Sequence, residues 1–128
     1  MPSLRVVAEL AWLHQLPHEA ASDETLDGVL DSPWWSVSRA DDELSIGCML
    51  PTLPGALATS GPFRVLHVDG PIPHVASGVV AGLARPLAEA GISVFVMSTF
   101  DACSVLVAAD RLDEACDALL IAGWSIHS

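Results

Sequence analysis

The sequence predicts an α+β protein made of two successive β-α-β-β-α-β units, each an antiparallel sheet with helices on one face. Three observations carry this expectation. Strand-like and helix-like apolar periods follow one another in that order over residues 63–126, a proline- and glycine-rich break divides the 128 residues into two patterned halves, and a hairpin pattern recurs about 60 residues apart.

The second half is the more legible. Phe63-Arg64-Val65-Leu66-His67-Val68 alternates as a strand does, and Asp69-Gly70-Pro71-Ile72-Pro73 breaks it as a turn. From His74 onward Val75, Val79, Leu83 and Leu87 recur every four residues, which predicts a helix with one apolar face. Gly91 stands where a helix-terminating glycine belongs, while Pro86 removes one helical hydrogen bond and should bend the last turn. Ile92-Ser93-Val94-Phe95-Val96-Met97 is apolar and rich in β-branched residues, a buried strand. Phe100-Asp101-Ala102 turns the chain, and Val105-Leu106-Val107-Ala108 returns as its partner. Asp110 is the expected N-cap of a helix carrying Leu112, Ala115, Leu119 and Leu120, with Asp113 near the positive end of its dipole. Gly123 closes that helix and Trp124-Ser125-Ile126 forms a short last strand. The order is that of a ferredoxin-like, split βαβ unit.

The first half repeats it less completely. Residues 4–13 read as a long strand, residues 23–30 as a short helix, and residues 34–38 and 44–48 as a hairpin around Arg39-Ala40-Asp41-Asp42-Glu43. Ser38 and Asp41 precede Leu44-Ser45-Ile46 as Ser98 and Asp101 precede Ser104-Val105-Leu106. Leu50-Pro51-Thr52-Leu53-Pro54-Gly55 and Ser60-Gly61-Pro62 read as a linker, placing a boundary near residue 60: a degenerate first module over 1–60 and a fuller second module over 61–128.

Composition removes several classes of function. An apolar share of 52% with only 16% charged residues excludes a disordered chain. Sixteen acidic residues against five arginines, with no lysine, leave a net charge of −11, which supplies no basic face for nucleic acid or an anionic membrane. The apolar stretches fall short of the ~20 residues of a spanning helix. Met1-Pro2-Ser3-Leu4-Arg5 lacks the basic and apolar regions of a signal peptide, and three cysteines are an odd number for a disulfide framework. The expectation is a soluble, cytoplasmic, reduced protein.

Nothing marks a catalytic constellation. G-x-S-x-G, H-E-x-x-H and the phosphate-binding G-x-x-x-x-G-K-[ST] are all absent, and the acidic residues fall at turns and helix starts, where they read as solvated caps. His14 and His18 would share a face only on a helix, which Leu16-Pro17 interrupts, so no metal site and no cofactor is expected. Cys48, Cys103 and Cys116 read as small buried apolar residues, and Gly78-Val79-Val80-Ala81-Gly82 as close packing of a helix on a sheet. The informative segment is Val68-Asp69-Gly70-Pro71-Ile72, a Gly-Pro turn feeding a helix N-terminus. A carboxylate placed there gains about 0.3–1 kcal/mol from the helix dipole. On these residues alone, a tight connection holding no ligand is the preferred reading.

Residues 63–124, with the Gly70-Pro71 turn, Leu87-Ala88-Glu89-Ala90-Gly91-Ile92-Ser93-Val94 and Ser98-Thr99-Phe100-Asp101, resemble the small tandem ACT-domain proteins, the group to which the cytosolic arginine sensors are related. Trp34-Trp35-Ser36-Val37-Ser38-Arg39-Ala40-Asp41-Asp42-Glu43-Leu44-Ser45-Ile46 is similar to the first-domain hairpin of the same group. The resemblance implies a regulatory, non-catalytic protein that binds a free amino acid between modules or subunits, and a homodimer. Carried onto this chain, the ligand would lie between the loop Asp69, Gly70, Pro71, Ile72 and the strand end Met97, Ser98, Thr99, Phe100. Asp101 is kept from the family pattern, but Ala102, Cys103 and Ser104 replace its Thr-Asp-aromatic run. Cys103 carries no charge there, so arginine is not implied as the ligand. The alternative reading is an ACT module that has lost its ligand and acts through protein–protein contacts.

Overall fold

The structure is a computed structural model that describes residues 3–20, 23–72 and 78–128. Its elements are β1 (Ser3–Pro17), a 3₁₀ turn (His18–Ala20), α1 (Asp23–Leu30), β2 (Ser36–Ala40), β3 (Glu43–Cys48), β4 (Ala58–Val68), α2 (Val79–Glu89), β5 (Val94–Ser98), β6 (Cys103–Ala108), a second 3₁₀ turn (Ala109–Arg111), α3 (Leu112–Ile121) and β7 (Ser125–His127). The start of the helix expected from His74 lies outside the described residues. The chain forms two compact units, one of Met1–Glu9 with Phe63–Ser128 and one of Leu10–Pro62. A single cut at residue 60 does not describe this division, because β1 and β4 each begin in one unit and end in the other.

In the unit of Leu10–Pro62, β1 pairs antiparallel with β3 from Trp12↔Cys48 to Pro17↔Glu43, and β3 pairs with β2 from Ser36↔Gly47 to Ala40↔Glu43. The opening of β4 lies on the other side of β1, beside the Leu57 N–H bond to the Gln15 carbonyl at 2.7 Å. The strand order is therefore β2-β3-β1-β4, with α1 after β1 and no helix among the described residues between β3 and β4. Residues 49–57 cover that side instead. Leu53 joins Leu16, Val29, Leu44, Ile46 and Cys48 in the core. His14, 1% exposed, anchors the segment: its Nε2–H donates to the Leu50 carbonyl at 2.8 Å, and Nδ1 lies 2.9 Å from Thr59 Oγ1.

Ser60-Gly61-Pro62, expected as linker, is strand. A side chain at Gly61 would lie 2.7 Å from the Trp12 ring and 3.1 Å from the Ala11 carbonyl. Glycine there permits close strand approach, so its turn-like composition misled.

In the other unit β4 pairs with β6 (Phe63↔Ala108 to His67↔Ser104) and β6 with β5 (Val94↔Val107 to Ser98↔Cys103), both antiparallel. The last strand departs from the expected all-antiparallel arrangement. β7 runs parallel to β1 (Ser3↔Ser125 to Arg5↔His127), and β1 in turn borders β4. The first residues thus lie between the last strand and the first strand of the β-α-β-β-α-β run. The Arg64 guanidinium, donating to the Val7 carbonyl from Nη2 at 3.1 Å, and the Asp69 N–H bond to the Ser3 carbonyl at 2.8 Å hold them there.

Alternation sends Leu66, Val68, Val105 and Val107 to one face, where α2 and α3 contribute Leu83, Leu87, Ala115 and Leu119 and the core closes with Leu4, Ile92, Cys103 and Trp124. α3 starts later than expected. Ala109–Arg111 is a 3₁₀ turn and the N-cap is Arg111 rather than Asp110. Arg111 supplies the anchor, donating to Glu114 Oε2 at 2.7 Å and to the Gly91 carbonyl at 2.9 Å.

Pro86 lies inside α2, which continues to Glu89. Lacking an N–H, it leaves the Gly82 carbonyl without its helical donor. The indole of buried Trp124 supplies one, with Nε1–H donating to Gly82 O at 3.0 Å.

Candidate functional site

The β4–α2 loop and the β5–β6 turn are joined through the backbone. The Ile72 N–H donates to the Asp101 carbonyl at 2.7 Å. A side chain at Gly70 would come within 3.0 Å of that same carbonyl oxygen, so only glycine lets the loop approach this closely. Gly70–Pro71 is a cis peptide. The turn is closed by the Thr99 N–H bond to the Ala102 carbonyl at 2.9 Å.

Between them opens a cleft of about 250 Å³. Ile72 forms one side, Ser98, Thr99, Phe100, Asp101, Ala102 and Cys103 the other, and Gly78, Val79, Val80 and Ala81 at the start of α2 the third. The first bond inside α2 runs from the Gly82 N–H to the Gly78 carbonyl at 2.8 Å, so the amides of Val79, Val80 and Ala81 have no acceptor within the helix. The Cys103 thiol is buried, which pushes its pKa up, while a hydrogen bond with the Ser98 hydroxyl pulls it partly back. It lines the cleft as a protonated, weakly polar wall rather than as a thiolate nucleophile.

Of the ten residues expected at a site, the structure brings Ile72, Ser98, Thr99, Phe100, Asp101 and Cys103 around one cleft. Gly70 supports it from behind. Pro71 and Met97 do not line it, and Asp69 is committed elsewhere. The Asp69 carboxylate accepts from the Ser3 hydroxyl and, at 2.7 Å, from His127 Nε2–H, joining the beginning of β1, the end of β4 and the end of β7. These bonds hold its pKa below the usual carboxylate range, and the same contact raises that of His127. Asp69 is thus not among the residues lining the cleft, and its partners stand in the first and last strands.

Val79, Val80 and Ala81 were missed as cleft residues. Val80 and Ala81 fall off the four-residue stripe of Val79, Leu83 and Leu87, and apolar residues on the wrong face of a helix were the available signal. No group of three metal-ligating side chains occurs among the described residues, and no helix there is long and apolar enough to cross a membrane.

Residues 59–120 match the family model of the ACT domain. Among solved structures, an Agrobacterium tumefaciens protein superposes with a TM-score of 0.85 at 28% identity, over 99% of this chain and 93% of that one. A Vibrio cholerae protein of unknown function follows at 0.71 and 18% identity, covering 94% of this chain and 88% of its own. The ligand-free regulatory subunit of aspartate kinase from Thermus thermophilus gives 0.67 at 10% identity, covering 94% and 97%, a likeness of fold alone. No curated protein matches the chain.

Proposed function

We propose that the chain is a non-catalytic regulatory protein of two ACT-type modules, the first degenerate, which binds a free amino acid in the cleft beside α2 and passes the occupancy on through self-association. The carrying observation is the convergence of Ile72, the first turn of α2 and residues 98–103 on one cleft inside the segment that matches the ACT model. Its groups suit a zwitterion. Backbone amides of the first helical turn favour a carboxylate, and the Asp101 carboxylate with the Ser98 and Thr99 hydroxyls favours an ammonium. A homodimer fits this role, since a ligand shifts association only by binding the two states unequally. A reduced, cytoplasmic setting fits the free thiols of Cys48, Cys103 and Cys116.

Thermal unfolding against the twenty amino acids at millimolar concentration tests the reading. A ligand at a hundred times its Kd stabilises by about 2.7 kcal/mol, a rise on the order of 10 °C for a chain of this size. Ala81→Leu, at an exposed position on the cleft wall, is expected to abolish the rise without changing the unliganded Tm. An undiminished rise in that variant moves the ligand elsewhere. No rise with any amino acid favours a second reading, an interaction module using the edge strand β5, where Phe95 and Val96 are exposed.

A further inference from the structure

The loop that brings Ile72 to the cleft is tied at its start as well as at Ile72 itself. At the start, the Asp69 N–H donates to the Ser3 carbonyl at 2.8 Å. The Asp69 carboxylate accepts from the Ser3 hydroxyl and, at 2.7 Å, from His127 Nε2–H. Three residues on, the Ile72 N–H donates to the Asp101 carbonyl at 2.7 Å. Only Gly70 and Pro71 lie between. The Pro71 ring fixes its φ, and Gly70 lies so near the Asp101 carbonyl that a side chain there would come within 3.0 Å of it. A link this short and stiff has little slack, so a shift of Asp69 carries through to Ile72.

We infer that Asp69 is a positioning residue for the cleft, and that its contact with His127 links occupancy of the cleft to a proton: the loop is held when the imidazole is charged and loosened when it is neutral. This rests on the amino-acid reading of the same cleft and adds its regulation. A protonated His127 makes a charge-assisted bond to Asp69, roughly twice as strong as the neutral bond that remains once the proton leaves. The pair is partly exposed, with the His127 side chain at 50% and that of Asp69 at 36%, so it titrates without the unit having to open. Two other charged or titratable side chains face it among the described residues, Arg5 of β1 and His67 of β4. Arg5 favours the Asp69 anion and opposes the charge on His127, against the larger effect of the Asp69 hydrogen bond that raises it. His67, lowered by burial and by Arg5, loses its proton before His127 does as pH rises. Affinity at the cleft therefore falls as pH rises through the His127 value, and by reciprocity a molecule that binds the held loop draws a proton onto His127.

Hydrogen exchange and calorimetry of the full chain at about pH 5.5 and about pH 8.5, on either side of the ordinary histidine value, decide it. The Ile72 amide, corrected for the intrinsic pH dependence of exchange, is expected to lose about 2–5-fold in protection at the higher pH, the worth of one surface ion pair. The Leu57 amide, bonded to the Gln15 carbonyl in the other unit, is expected to keep its own. His127→Gln, which retains an N–H donor and cannot titrate, should give Ile72 the same protection at both pH values, and Asp69→Asn a low one at both. In titrations with each of the twenty amino acids, any that binds should do so about 2–5-fold more tightly at the lower pH, and equally at both in His127→Gln. Ile72 protection that ignores pH, that falls in step with Leu57, or that keeps its dependence in His127→Gln overturns the inference and leaves the amino-acid reading standing. An amino acid bound equally at both pH values overturns the link between the proton and occupancy. Silence towards all twenty at both pH values overturns the amino-acid reading, and this link with it.

Discussion

The two units share the order of three antiparallel strands, β2-β3-β1 in one and β5-β6-β4 in the other, and differ in how they cover it. Among the described residues, the buried core around α2 and α3 comprises twelve, from Leu4 to Trp124, whereas the unit of Leu10–Pro62 gathers six around α1 and the 49–57 segment. Where the larger unit places its second helix, the smaller one lays an irregular segment held by Leu53 and by the buried His14. Sheet topology is thus set by pairing and hairpin geometry, while the covering layer can be substituted. A helix satisfies its own backbone; an irregular segment needs partners such as the His14 imidazole at the Leu50 carbonyl.

Matched truncations break this comparison most directly. Leu119→Ala and Leu16→Ala both remove a fully buried leucine, and such changes cost about 2–5 kcal/mol depending on how far the surroundings collapse. Leu119, between two helices and a sheet, should fall near the top of that range. Leu16, under a covering that can relax, should fall near the bottom. Urea unfolding measures both, and equal losses would show that the irregular cover is as rigid as the helical one.

Trp124→Phe comes next. It leaves the half-buried Gly82 carbonyl without a donor, which costs at most about 1–3 kcal/mol. Pro86→Ala restores a helical donor, so the same substitution in that background should cost measurably less. Additive losses would mean the indole bond is unrelated to the missing proline N–H.

The smallest effect is electrostatic and belongs to the larger unit alone. His127, raised by Asp69, adds stability that is full below the unfolded value of about 6.5 and lost as pH rises through its folded value. Asp69, lowered by Ser3 and His127, adds stability present above about 3.9 and lost as pH falls through its folded value. The contact is therefore strongest between about pH 4 and 6.5, and His127→Gln should flatten the Tm profile on the alkaline side. An identical profile in the variant shows that solvent screens the pair, as it does at many exposed sites.

What the sequence revealed follows from what is local. Val65–Val68-type alternation, the Val79–Leu83–Leu87 stripe and the β-branched run at Val94 describe elements whose period is written in neighbouring residues. The turn at Phe100-Asp101-Ala102 was legible because it closes on itself through Thr99 and Ala102. The passage of β1 from one unit into the other was not, since pairing between residue 3 and residue 125 leaves no periodic trace. The partners of Asp69 were hidden for the same reason, and Gly61-Pro62 read as linker because close strand approach and chain breaking favour the same residue types.

The indole–carbonyl contact between Trp124 and Gly82 makes a built-in reporter. Its proton is buried, bonded, and attached to the helix whose first turn walls the cleft, so it should exchange with deuterium only when α2 separates from α3 and the end of the chain. Of the four tryptophans, this one carries the opening free energy of the larger unit in a single resonance, readable with and without ligand.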